Sequence, residues 1–336
     1  MEELETVLST CSSSAPGMDN IPFDLIKHLN EAAKKFLLNF YNHLWKKGIF
    51  PKEWQHAIII AIPKPGKDLT NVNNYRPISL TSCLCKVMEK MVHDRLSWFL
   101  EKNQILTPTQ FGCRKNRSTL DSLSCLEHQI WKGFAEHKLT VAILFDIQKA
   151  YDTTWRYSIL STLYNNGLRG NLPIFIRNFL SERTFQTRID STYSDCFKLK
   201  EGVPQGSVLS GTLFALAIND IVKTLPQGVN NSLFVDDFAI YYTSSNLRHI
   251  QRILTTAINK IQNWATSVGF KFAIEKTQGI IFFRDKRWMK NQQIELKMNN
   301  ITIIFFENVK FLGMIFDQRL NFKTHVNYIK GRALKT

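Results

Sequence analysis

Two apolar runs in this chain end on, or are interrupted by, carboxylates, and that pattern narrows the available folds more than any other feature. The first is Val141-Ala142-Ile143-Leu144-Phe145-Asp146. The second is Leu233-Phe234-Val235-Asp236-Asp237-Phe238-Ala239-Ile240. Short apolar runs rich in β-branched and aromatic residues read as buried strands. A carboxylate at the end of a buried strand is costly unless it is paired or bound to a metal. Two neighbouring aspartates in a dry site also repel each other when both are ionised. A divalent cation removes both costs, and Mg²⁺ prefers oxygen ligands. If the chain turns at Asp236-Asp237, both carboxylates project from a hairpin tip, and Asp146 on a neighbouring strand can share the same metal. The plainer reading of Asp-Asp between strands is a polar turn, so the pair gains its weight from what accompanies it.

The rest of the pattern alternates helices and strands. Asn20-Ile21-Pro22 predicts a helix running to about Lys47, closed by Gly48. Cys83–Leu100 is amphipathic, with Leu84, Val87, Met88, Met91, Val92, Leu96 and Phe99 on one face. Helices are also expected over 119–137, 157–166, 171–180, 207–225 and 247–267. Strands are expected at 57–62, 139–147, 185–189, 196–199, 233–242, 278–283, 301–305 and 309–315. Mixed strands with helices on one face of a sheet give an α+β class. At 336 residues the chain is too long for one small binding module.

Charge is uneven. The formal net charge is +15. Residues 63–145 carry 12 basic and 7 acidic side chains, and residues 246–336 carry 16 and 5. Residues 146–245 are balanced at 9 and 9. A polyanion held between basic flanks explains this, nucleic acid being the commonest such partner. A solvated lysine-rich surface is the simpler alternative. Six cysteines without a Cys-x-x-Cys pair do not make a disulfide scaffold, and they suit a reducing compartment. The apolar runs fall far below the roughly 18 residues needed to span a bilayer, so no membrane is expected. Zinc chemistry lacks His-Glu-x-x-His, and a serine nucleophile lacks Gly-x-Ser-x-Gly. No Walker-type glycine loop is present for phosphates.

Four motifs occur in a fixed order. They are Asn74-Tyr75-Arg76-Pro77-Ile78-Ser79-Leu80, Phe145-Asp146-Ile147-Gln148-Lys149-Ala150-Tyr151-Asp152, Gly202-Val203-Pro204-Gln205-Gly206-Ser207, and Phe234-Val235-Asp236-Asp237. Together they closely resemble the reverse transcriptases of non-LTR (LINE-like) retrotransposons, in particular the Jockey-like group. The likeness extends from Ser14-Ala15-Pro16-Gly17 to Lys310-Phe311-Leu312-Gly313.

The resemblance implies a right-hand polymerase. Residues 1–138 would form an N-terminal extension and fingers, 139–245 a palm core with the antiparallel sheet, and 246–336 the end of the palm, a primer-grip hairpin and a partial thumb. It implies two Mg²⁺ ions, with Mn²⁺ as a substitute, on Asp146, Asp236, Asp237 and the carbonyl of Ile147. Lys64 and Arg76 would grip the incoming triphosphate. Tyr151 would lie under the sugar, or simply pack in the palm. Gln205-Gly206 would approach nucleotide and template. Lys276 would donate a proton to pyrophosphate, or form a structural ion pair. Arg114, Lys115 and Arg117 would contact template phosphates. Phe311, Leu312 and Gly313 would grip the primer end.

The implied activity is RNA-directed DNA synthesis from an RNA template, a DNA primer or target and deoxynucleoside triphosphates. A separate element-encoded endonuclease would act with it, in cytoplasm and nucleus. The alternative is an inactive truncated remnant that binds RNA without synthesis. Three positions depart from the family: Val235 stands where Ala is usual, Gly211 where Pro is usual, and Cys113 where Phe is usual.

Overall fold

A computed structural model describes residues 1–285 and 294–334. The chain forms two compact units, each built from two stretches. One is Met1–Ile105 with Tyr151–Ala217; the other is Leu106–Ala150 with Ile218–Thr336.

In the first unit, strands His56–Pro63 and Tyr75–Leu80 form an antiparallel pair, with Ile62 opposite Arg76. Strand Thr184–Ile189 adds in parallel to His56–Pro63. The helix expected from residue 20 to 47 is two helices, Phe23–Lys27 and Glu31–Lys47. The break has a local cause: the Asn30 side chain accepts the Ala33 N–H and so starts a new helix. Gly48, at φ +63°, closes it in the left-handed conformation that glycine adopts without penalty. Helix Cys83–Lys102 is capped by Ser82, whose side chain accepts the Cys85 N–H. Phe50, Trp54, Phe175 and Phe179 pack edge to face beneath this layer.

The second unit is organised around strand Leu139–Phe145, in which all seven residues are buried. The sheet order is Ile304–Phe305, Gln278–Phe282, Leu139–Phe145, Asp237–Ser244, Asn230–Phe234. Every pairing is antiparallel except the first, which is parallel. Helix Thr119–Ala135 begins with a reciprocal capping box between Ser118 and Asp121. Its Leu123, Leu126, Ile130 and Phe134 meet Ala142, Leu144, Ala239, Tyr241, Ile280 and Phe282 in one core. Each Leu, Ile or Phe side chain among them stabilises the unit by roughly 2 kcal/mol through loss of apolar surface to water.

The single helix expected over 207–225 is a helix at Ser210–Ile218 followed by a tighter 3₁₀ segment, Asn219–Thr224. No helix among the described residues is long and apolar enough to cross a membrane.

Candidate active site

The central strand and its neighbour bring the carboxylates together through register alone. Phe145 pairs with Phe238 across the antiparallel ladder, and their rings stack 5.4 Å apart. Asp146 directly follows Phe145 and Asp237 directly precedes Phe238, so the two carboxylates stand at adjoining ends of the paired strands. Asp236 occupies the turn that joins Asn230–Phe234 to Asp237–Ser244, since Phe234 pairs with Asp237. The turn falls one residue earlier than the expected Asp236-Asp237: Val235 and Asp236 are its two loop residues, and Asp237 is already the first residue of the next strand because it pairs with Phe234.

That turn is strained. Val235 has φ +58°, and Asp236 has no positive φ. A positive φ at the first loop position is the type II′ pattern, where glycine is preferred. A β-branched residue there costs about 1–3 kcal/mol and persists only if its surroundings hold it. They do. The amide oxygen of buried Gln110 accepts the N–H groups of both Gly112 (2.9 Å) and Val235 (3.2 Å). Phe111 N–H donates to the Leu233 carbonyl, and Leu233 N–H donates to that of Thr109. A Cβ on Gly112 would fall 2.4 Å from Val235 N, so only glycine lets the segment lie this close. The sequence marks only Arg114, Lys115 and Arg117 in this stretch, as template contacts, and does not announce this support of the turn by Gln110 and Gly112. The available signals were the Gln-x-Gly spacing and a valine where the turn demands a smaller residue.

The electrostatics follow from the geometry. Asp236 and Asp237 reach solvent on one side, while protein packed around the rest of each carboxyl removes water and favours the neutral form. Asp237 is pushed up to about 6, first by this desolvation, then by the charges of Asp236 and Asp146. Asp236 is raised by desolvation and by Asp146. Asp146 thus faces both members of the pair.

Lys276 Nζ stands 3.5 Å from Asp146 Oδ1 as an exposed ion pair. Asp146 is further fixed by its backbone: its carbonyl accepts the Ala273 N–H, and Gln148 N–H donates to the Lys271 carbonyl. These two bonds form the bridge between Ile147 and Phe272 and leave the Ile147 carbonyl outside the pairing.

As they stand, no three His, Cys, Asp or Glu side chains among the described residues converge closely enough to hold a metal ion. The donor set still fits a hard divalent cation. It consists of oxygen ligands whose mutual repulsion raises their proton affinity, the condition a cation relieves.

The remaining expected residues divide between the units. In the first, Lys64 and Arg76 lie on either side of one hairpin, and Lys64 Nζ donates to the Asn73 carbonyl (2.8 Å). The Pro204–Ser207 turn is closed by Ser207 N–H to the Pro204 carbonyl and tied to Ser79, whose N–H donates to Gln205 (2.7 Å). Gly206 has φ +122°, and a Cβ there would meet the Ser79 carbonyl at 2.6 Å. The Tyr151 ring stacks on Phe214 at 5.3 Å.

In the second unit, Arg114 spends one nitrogen on the carbonyls of Thr107 and Gln110. Arg117 lies over the Phe111 ring, and Lys115 is exposed. Phe311 is buried in the core, while Leu312 and Gly313, both at positive φ, form the tip of hairpin Asn308–Asp317. Of the three expected grip residues, Leu312 is partly buried against that core and Gly313 is exposed.

The chain is similar in fold to a solved structure of apo telomerase from Candida tropicalis truncated from its C-terminal domain. The TM-score is 0.52 at 16% identity, covering 86% of this chain and 59% of that one. This supports a right-hand polymerase fold of α+β class. Residues 62–316 match the model of the reverse transcriptase (RNA-dependent DNA polymerase) family, and the chain belongs to that family. It is 29% identical to the probable RNA-directed DNA polymerase from transposon BS of Drosophila melanogaster, over 99% of this chain. It is 28% identical to the RNA-directed DNA polymerase from mobile element jockey of the same species, over 100% of this chain. The chain spans 37% of the length of each of these relatives.

Proposed function

We propose that this chain is an RNA-directed DNA polymerase that extends a DNA primer on an RNA template. The observation that carries the reading is the pairing of Phe145 with Phe238, which leaves Asp146 and Asp237 at adjoining strand ends, with Asp236 on the strained turn beside them. Membership of the reverse transcriptase family supports it.

In this reading Asp146, Asp236, Asp237 and the Ile147 carbonyl hold Mg²⁺, as two ions, with Mn²⁺ able to substitute. The metal supplies positive charge to the phosphoryl group in transfer. The protein's own side chains do the rest. Lys64 and Arg76 bind the triphosphate. Tyr151, braced by Phe214, supports the sugar. Gln205 and Gly206 approach nucleotide and template, Gly206 with no Cβ in the way. Lys276, tethered to Asp146, gives a proton to the departing pyrophosphate. Arg117, Lys115, Leu312 and Gly313 contact the nucleic-acid backbone, which positions it without reading sequence. Action in cytoplasm and nucleus, beside a separately supplied endonuclease, belongs to the same reading.

The test is primer extension by the purified chain on poly(rA)/oligo(dT) with Mg²⁺ and dTTP. Extension supports the polymerase. Binding without extension supports the alternative of a remnant that only binds RNA.

A further inference from the structure

Glu89 is an anomaly of the first unit. It sits on helix Cys83–Lys102 with no exposed surface. Buried carboxylates are kept only when their oxygens are occupied. One oxygen accepts the Cys85 thiol at 3.2 Å, one helical turn back. The other accepts the Ser207 hydroxyl and, at 2.9 Å, the Val208 N–H. A second buried charge lies nearby: the Arg183 guanidinium, 2% exposed, donates to the Phe179 and Trp54 carbonyls. Burial disfavours the charged form of Arg183, and the carboxylate of Glu89 favours it.

Ser207 and Val208 directly follow Gln205-Gly206. The rest of the loop is tied by backbone bonds to neighbouring segments, by the Ser210 hydroxyl and, at its start, by the Arg156 guanidinium, which donates to the Gly202 and Glu201 carbonyls. Val203 N–H donates to the Tyr151 carbonyl, Ser79 N–H to that of Gln205, and the Ser210 hydroxyl to that of Pro204. Glu89 is the charged anchor of the end of the turn at Ser207 and Val208, as Arg156 is of its start. Charge-assisted hydrogen bonds in a dry site are short, directional and hard to replace.

We propose that Glu89 is a positioning residue for nucleotide binding: its carboxylate clamps Ser207 and Val208 and thereby fixes where Gln205 and Gly206 stand. The proposal rests on the reading that this turn meets the incoming nucleotide. An apolar side chain could fill the same core volume, but it would leave a hydroxyl and an N–H without an acceptor.

The experiment compares wild type with Glu89→Gln, Glu89→Ala and Ser207→Ala. It measures dNTP KM, kcat, primer–template Kd and amide hydrogen exchange at Val208. Glu89→Ala should raise dNTP KM about tenfold, the scale of a lost hydrogen bond to a charged group. Glu89→Gln, which keeps one acceptor, should lie between it and wild type. Val208 exchange should quicken in the same order, with kcat and primer–template Kd little changed. The effects of Glu89→Ala and Ser207→Ala should be less than additive.

Unchanged KM and exchange in Glu89→Gln and Ser207→Ala would overturn the proposal, even if Glu89→Ala fails to fold. So would a parallel loss of KM, kcat and primer binding, which marks general destabilisation. A wild-type chain that extends no primer would refute the polymerase reading instead. The exchange rate at Val208 would then still accept or reject the clamp.

Discussion

Replacing Gly112 with alanine puts the support of the Val235–Asp236 turn to a direct test. The added methyl carbon would stand 2.4 Å from Val235 N, 2.5 Å from Val235 Cγ2 and 3.0 Å from the Phe234 carbonyl carbon. Two of those three atoms are backbone, so no side-chain rotation relieves the clash. Restoring ordinary contact near 3.4 Å requires the turn or the Gln110–Gly112 segment to retreat by about 1 Å. Retreat also stretches the bonds that Gln110 makes to Gly112 and Val235. Overpacking of this kind costs about 1–3 kcal/mol of stability. A catalytic group misplaced by about 1 Å can lose on the order of 10²-fold in rate.

Gly112→Ala should therefore slow single-turnover primer extension by about two decades while primer–template affinity stays near wild type. Gly331→Ala is the matched control. A Cβ there meets nothing within 4 Å, and it should change neither rate nor binding. Gly112→Ala that folds and extends at the wild-type rate would refute the idea that close packing of this segment sets the carboxylate turn.

Other expectations follow from the same geometry. Tyr151→Val should raise ribonucleotide over deoxynucleotide incorporation by about one to two decades, or about 1.4–2.8 kcal/mol, whereas Tyr151→Phe should change little. An identical dNTP/rNTP ratio in the Val variant would leave the ring as packing on Phe214. Primer–template affinity should fall steeply between low and physiological salt, because residues 246–336 hold 16 basic against 5 acidic side chains and each neutralised phosphate releases counterions. A flat salt dependence would reject an electrostatic grip.

The raised proton affinity of Asp237 makes the folded, metal-free protein bind a proton more tightly than the unfolded chain. Its contribution to stability is present below pH 3.8 and is lost as pH rises towards about 6. Mg²⁺ affinity should rise over the same window as the proton leaves. Asp237→Asn should remove this residue's part of the pH dependence of the melting temperature, and an unchanged profile would place the titrating group elsewhere.

The strands that carry the carboxylates were legible because their signals are local. Apolar runs interrupted by carboxylates mark Leu139–Phe145 and Asp237–Ser244 as strands, and the Asp pair marks the turn between strands. Helix ends were legible where a cap announces them, as at Gly48. Asn30 carried the same kind of signal, but it was submerged in a longer amphipathic pattern.

What escaped were roles set by residues distant in sequence. Glu89 reads as an ordinary charge on an amphipathic helix until Ser207, 118 positions away, closes on it. Gln110 reads as part of a basic segment until Val235, 125 positions away, needs its oxygen. Arg114 has the charge expected of a phosphate contact, yet part of its hydrogen-bonding capacity is spent on nearby carbonyls.

The central claim is that Asp146, Asp236 and Asp237 form one polymerase centre, and the most direct measurement is primer extension by Asp236→Asn beside wild type. Both should be assayed on the same RNA template with Mg²⁺, with primer–template binding recorded in parallel. The account predicts that Asp236→Asn binds as wild type does and extends nothing detectable, since removing one carboxylate leaves the basic flanks intact. Extension by Asp236→Asn at a rate near wild type would contradict it.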